Sequence, residues 1–323
     1  MMQPLTLNNN LPSVFFVTCA SGFEQALCEE LNEIYCSYNI QAEVELGSAG
    51  CYVTGSFDCC ILANLISFCA SRVLYVGLEC EVENEQELYD AVCTLDWPSL
   101  FDVNKTFLVK SNVSQSFLQN SMYLSLKVKD ALCDTFTQKI QSRPNVDIKN
   151  AEVKVYVRLV RNRLSVSLDT SGDPLFMRGY KKNSLEAPLK ETLAASLLRI
   201  SGWNKLTNSI LQSADPVFFE RVVRQPEEEN AEQKRRIPKE VLLSPFLLDQ
   251  FCGSGTIVIE AALAAIQFNP NCLRPHFSYM NLFPTEQENI VKKYEILKAQ
   301  VLANKRCEYR ERGHESLRKT KWH

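Results

Sequence analysis

The residues of this chain best suited to hold a charged small molecule are Asp249, Phe251, Cys252, Gly253, Ser254, Gly255 and Thr256. They end a short apolar run, Leu247-Leu248, with an acid and a Gly-x-Gly turn. The segment Ile257 to Ile266 follows, rich in alanine and free of helix breakers. That order predicts strand, tight loop and helix, the opening of a nucleotide-binding α/β unit. Glycines let a ligand approach the backbone with no Cβ in the way, and unpaired N–H groups at a helix start supply donors. The bare pattern fits an ordinary turn equally well, so its surroundings must decide.

A second chemistry is written in the charge distribution. The net charge of −3 over 323 residues suits no polyanion partner by itself. Yet residues 1 to 104 hold one base, Arg72, against 15 acids, whereas residues 105 to 199 hold 16 bases against 8 acids. The remainder holds 18 bases against 15 acids. A basic block inside an acidic protein is the footprint of a phosphate-binding surface, although a solvated basic face would give the same tally. With 46% hydrophobic residues the chain is globular, of two or three domains. No apolar run is long enough to cross a bilayer and no basic leader precedes an apolar core, so a cytoplasmic location and no membrane partner are expected. Thirteen scattered cysteines without Cys-x-x-Cys, and three histidines, predict reduced thiols and no metal site.

The elements that must position these residues follow in order. Val14 to Cys19 is a strand, Phe23 to Ile34 a helix, and Gln41 to Leu46 and Cys51 to Thr54 are strands. Together they form a small α+β unit over 1–57. A module over 58–171 begins with a buried helix from Ile61 to Ala70 and a second from Glu85 to Leu95. Then come a strand from Thr106 and a helix from Asn120 to Ile140 carrying Lys127 and Lys129. Val153 to Val160 and Leu164 to Leu168 alternate as a hairpin with a basic tip, Arg161-Asn162-Arg163, and Arg158 falls on its wet face with Lys154 and Tyr156. Residues 172–323 contain the Gly-x-Gly turn. Gln225 to Arg236 reads as a solvated loop, and a final helix runs from about Thr285 to Asn304.

Asp249-x-Phe251-Cys252-Gly253-Ser254-Gly255-Thr256-Ile257 with Ile259-Glu260-Ala261-Ala262 resembles the S-adenosylmethionine loop of RNA methyltransferases that carry a THUMP domain, where proline usually stands at position 250 and this chain has Gln250. Leu95-Asp96-Trp97, Ser121 to Ala131, Arg143 to Asp147, Leu168-Asp169-Thr170-Ser171-Gly172, Arg178-Gly179-Tyr180, Glu186 to Ala195 and Ser201-Gly202-Trp203 occur in the order seen in bacterial 23S rRNA guanine-N2 methyltransferases of the RlmL type. The resemblance implies an α/β protein made of an N-terminal ferredoxin-like α+β unit, a THUMP RNA-binding domain and a Rossmann-like methyltransferase domain. It implies S-adenosylmethionine as cofactor and RNA, above all 23S rRNA, as partner, with no DNA.

Several sites follow from it. Arg178, Tyr180, Lys181 and Lys182 form a basic aromatic linker suited to phosphate and to base stacking. Pro188 starts a helix in which Lys190 and Glu191 face the donor, or else form a surface pair. The family pattern continues to an acid-ended second strand and an Asn-Pro-Pro-Tyr motif, neither of which occurs here. Asn269-Pro270-Asn271-Cys272 and Asp215-Pro216-Val217-Phe218 read as loops, and Lys305 to His323 shows no strand pattern. The expectation is therefore an incomplete, C-terminally truncated methyltransferase domain with no catalytic residue assigned. Its donor binding is doubtful and the chain alone is inactive. It would be a non-catalytic RNA-binding fragment or half of a split enzyme whose C-terminal piece is encoded separately.

Overall fold

A computed structural model describes residues 12–181, 189–207, 247–250 and 252–303. Its centre is one seven-stranded sheet. The strands are β1 (Ser13–Thr18), β2 (Ala42–Gly47), β3 (Gly50–Gly55), β4 (Arg72–Glu81), β5 (Phe107–Ser114), β6 (Val153–Val160) and β7 (Arg163–Asp169), in the order β2-β3-β1-β4-β7-β6-β5. Among the described strands only β5 and β6 pair in parallel. The first helices are α1 (Glu24–Ser37), α2 (Phe57–Ile66), α3 (Glu85–Cys93), α4 (Trp97–Leu100) and α5 (Ser121–Ile140). They share one apolar core with the strand residues Phe15, Val17, Val53, Val73, Tyr75, Val155, Val157 and Val166.

The hairpin of β6 and β7 forms as the alternation predicts. Arg161 and Asn162 take positive φ of 51° and 62°, the left-handed pair that a two-residue hairpin turn requires. Asn162 Oδ1 accepts from Ser116 Oγ at 2.7 Å and from Phe117 N at 3.2 Å, which ties the tip to the chain leaving β5. Asn120 caps α5, its Oδ1 accepting from the backbone of Met122 and Tyr123.

The expected helix from Ile61 to Ala70 begins earlier and stops at Ile66. The cause is the buried Glu30 carboxylate, which accepts from Ser67 Oγ at 2.6 Å, Phe68 N at 2.8 Å and Cys69 N at 3.0 Å. Donors that would have continued the helix are satisfied by this acid instead. Strand β4 has no counterpart in the sequence reading. Val73 and Tyr75 face the helices while Leu74 and Val76 face away, so both faces are apolar and the period-2 pattern vanishes.

Helix α6 (Glu191–Ile200) packs on α7 (Thr256–Ala265), and α8 (Gln287–Ala303) packs on α2. Residues 268–283 lie against the sheet module. Phe283 meets Tyr75 edge-on at 5.0 Å and Phe57 at 5.7 Å, and Tyr279 meets Phe57 at 5.8 Å. The Asn269-Pro270 segment is a buried 3-10 turn, Pro270–Leu273, whose Asn269 side chain donates to the Ser67 carbonyl at 2.6 Å. The apolar run at Leu247 to Asp249, expected as a strand, has no strand geometry among the described residues 247–250. Gln225 to Arg236, Asp215 to Phe218 and Lys305 to His323 lie outside the described residues.

Candidate functional site

The glycine turn takes the geometry its residues allow. Gly253 and Gly255 have φ of 51° and 70°, conformations that side-chain-bearing residues rarely adopt. Gly255 N donates to Cys252 O at 2.7 Å, closing the turn, and Ser254 Oγ lies 3.1 Å from Thr256 Oγ1. Gly255 heads α7 and no side chain caps that helix. Uncapped N–H groups beside a backbone without Cβ atoms fit the carboxylate or hydroxyls of a nucleotide-like donor. Cys252 is exposed, Asp249 half-exposed and Thr256 buried, while Phe251 lies outside the described residues.

Behind this loop the sequence hides its main electrostatic feature. Glu260, on the buried side of α7, stands 3.2 Å from Arg178 Nε with both side chains fully withdrawn from solvent. Tyr180 Oη donates to Glu260 Oε1 at 2.7 Å. Burial pushes the Glu260 carboxyl up to about 7, against the pull of Arg178 and of the Tyr180 hydroxyl. Arg178 also donates from Nη2 to the Phe68 carbonyl at 2.7 Å and lies over the Phe68 ring, 4.9 Å from its centroid. Lys181 Nζ pairs with Glu191 at 3.2 Å and donates to the Leu189 carbonyl at 2.7 Å.

The linker residues are thus placed differently from the expectation. Arg178 holds α7 to the sheet module and is not exposed to a phosphate, because Glu260 and Phe68 enclose it. Tyr180 is half-buried with its hydroxyl engaged, and Lys181 is spent on Glu191. Lys182 and Pro188 lie outside the described residues. Glu260 was missed as a site residue. Its signal was a single acid in the helix Ile257 to Ile266 whose other residues are all apolar.

The Leu168 to Gly172 motif is structural. Asp169 is fully buried, pairs with Arg72 and accepts from Ser171 N and Gly172 N. Burial raises its carboxyl above the ordinary value while Arg72 pulls it down. Thr170 and Ser171 both bond Asn64 of α2, and both bond the Val73 backbone.

A cleft of about 950 Å³ opens between the start of β6, the chain after β7 and the head of α6. Lys154, Lys181, Lys190, Glu191, Arg274 and His276 line it, and no described residue of the 249–256 turn does. Lys190 and Glu191 therefore belong to this cleft in the described arrangement. Of the remaining cations, Arg158, Arg161 and Arg163 are exposed on the hairpin, Arg161 bonded to Gln115 and Arg163 to Glu79. Lys127 and Lys129, on α5, are each within reach of an acid.

The fold and the glycine turn together describe a THUMP-type methyltransferase architecture, and the comparisons agree region by region. The family model of the RlmL ferredoxin-like domain matches residues 14–74, the THUMP domain 82–169, and the RMKL-like methyltransferase domain 243–320. The chain is 32% identical over 267 residues to the ribosomal RNA large subunit methyltransferase K/L of Shewanella frigidimarina, and 33% over 265 residues to that of Shewanella amazonensis. These alignments cover 83% and 82% of this chain and 32% of each relative, so the chain spans about a third of the length of the curated relatives it matches. In fold it is similar to a predicted N6-adenine-specific DNA methylase from Listeria monocytogenes, with TM-score 0.65 and 21% identity over 90% of this chain and 64% of that one. It is likewise similar to SMU.472, a putative methyltransferase complexed with SAH, with TM-score 0.64 and 22% identity over 90% and 65%. Region by region the chain is thus similar to THUMP-domain ribosomal RNA methyltransferases of the RlmL type.

Proposed function

We propose that this chain supplies RNA recognition and the donor loop for S-adenosylmethionine-dependent methylation of 23S rRNA at the exocyclic amine of a guanine. The observation that carries the reading is the left-handed Gly253 to Gly255 turn at the head of the uncapped helix α7. It is joined to the sheet module through the Arg178–Glu260 pair. S-adenosylmethionine, when bound, supplies an electrophilic methyl group. Asp249, Phe251, Cys252, Gly253, Ser254, Gly255 and Thr256 would hold it, the turn's N–H groups offering donors to a carboxylate or hydroxyls. Lys190 and Glu191, expected from the resemblance to face the donor together with Pro188, line the separate cleft beside β6. The basic middle third fixes the rRNA, and positioning of the amine against the methyl does most of the work.

A specific observation favours a shared site. Leu197 and Ile200 on α6 and Val258 on α7 are 43%, 62% and 43% exposed, an apolar surface of the kind that further strands cover. A polypeptide matching the rest of the relatives' length is the proposed partner. The test is transfer of labelled methyl from S-adenosylmethionine to unmodified 23S rRNA, by the chain alone and with that polypeptide added, followed by nucleoside analysis. Label on guanine N2 in either arm supports the reading. Label elsewhere, or in neither arm, overturns it.

A further inference from the structure

Cations are treated differently on the two sides of the sheet. On the helix-covered side every lysine of α5 is neutralised, Lys127 by Glu85 at 3.4 Å, Lys129 by Asp130 at 2.7 Å and Lys139 by Asp96 at 2.8 Å. The opposite side carries Phe16, Leu74, Val76, Val14, Tyr52 and Tyr156, an apolar group to which no described helix contributes. Beside that group β6 turns Lys154, Tyr156 and Arg158 to the same side, since alternate strand residues share a face. Lys110 of β5 stands opposite Tyr156, and Asn112 opposite Arg158. The Tyr156 ring lies between two cations, Arg72 at 5.3 Å and Lys110 at 5.9 Å from its centroid. Arg72 is already paired with Asp169. Among the described residues Lys110, Lys154 and Arg158 have no acid within ion-pair distance.

The line of cations does not stop at the sheet. Lys154 also walls the cleft of about 950 Å³, whose far side holds Lys190 at the head of α6. A cleft of that size matches a ligand of nucleotide dimensions, and a basic surface around an aromatic ring is the pattern that holds unpaired strands. We infer that an unpaired RNA segment lies along β6 on the uncovered sheet face, its phosphates on Lys110, Arg158 and Lys154, and places a nucleotide in the cleft beside Lys190. This rests on the RNA-modifying reading above and names the face and the form of RNA it uses.

Fluorescence anisotropy of the full chain with a labelled unstructured RNA oligonucleotide tests it, with Lys110→Glu/Arg158→Glu, Lys154→Glu/Lys190→Glu and Lys127→Glu/Lys129→Glu compared. Circular dichroism melting checks folding, and the corresponding glutamine pairs replace any variant that fails. The first two pairs should each weaken binding at least tenfold at low salt and flatten its salt dependence, as lost phosphate contacts do, whereas the α5 pair stays within about twofold. An unlabelled strand should displace the probe, and a duplex of the same sequence should not. Greatest loss in the α5 pair, or equal displacement by the duplex, overturns this inference and leaves RNA binding standing. Failure of the unaltered chain to bind any RNA overturns both readings.

Discussion

Arg178 and Glu260 are 3.2 Å apart with neither side chain exposed, so the linker and α7 are joined by a buried polar pair as well as by apolar contact. Arg178 reaches Phe68 of the sheet module and Glu260 lies five residues beyond Gly255, so the pair links the sheet module to the helix that follows the glycine turn.

Removing Glu260 strands the buried guanidinium, and removing Arg178 leaves the Glu260 carboxyl buried without its cationic partner. Arg178→Ala should lower stability by about 3–5 kcal/mol, and Arg178→Met with Glu260→Leu should recover most of it. Urea unfolding of the two single variants and the double variant measures this. Additive losses would show that the residues act independently.

Acid-side stability is the second expectation. The folded protein keeps the Glu260 proton up to about pH 7, whereas an unfolded chain releases it near 4.5. The folded state then binds more protons between those values, so this contribution is full below about pH 4.5 and lost as pH rises through 7. The melting temperature of the natural chain, relative to Glu260→Gln, should fall by a few degrees between pH 5 and 8. A constant difference between the two curves would refute the shift.

A third expectation concerns the segment after α7. Phe283 is 2% exposed and its ring contacts Tyr75 and Phe57, while its backbone N–H donates to Leu100 O at 2.8 Å. Phe283→Ala leaves a cavity at that joint and should cost about 3–5 kcal/mol. Chemical denaturation measures the loss, and a change below 1 kcal/mol, about the size of a surface effect, would place Phe283 outside the core.

Much of this was legible before the structure. The β6–β7 hairpin announced itself because one face is core and the other wet, and Arg161-Asn162 can take the left-handed turn. The start of α5 at Asn120 and the glycine turn were equally plain. β4 escaped because it is buried on both faces, where alternation carries no signal. Arg178 was misjudged because a basic linker looks solvated until an acid elsewhere claims it. That acid, Glu260, is 82 positions away in the chain, beyond the reach of any local pattern.

β4 has a consequence for how the molecule comes together. It pairs with β1 on one side and with β7 on the other, and its partners Leu74 and Asp169 are 95 positions apart. The ferredoxin-like match ends at 74 and the THUMP match begins at 82, so their boundary falls within this strand. A chain divided there would expose two long unpaired edges, each prone to pair with other chains. The two regions match separate family models yet share one sheet, and closing β7 onto β4 is a non-local contact of the kind that slows folding.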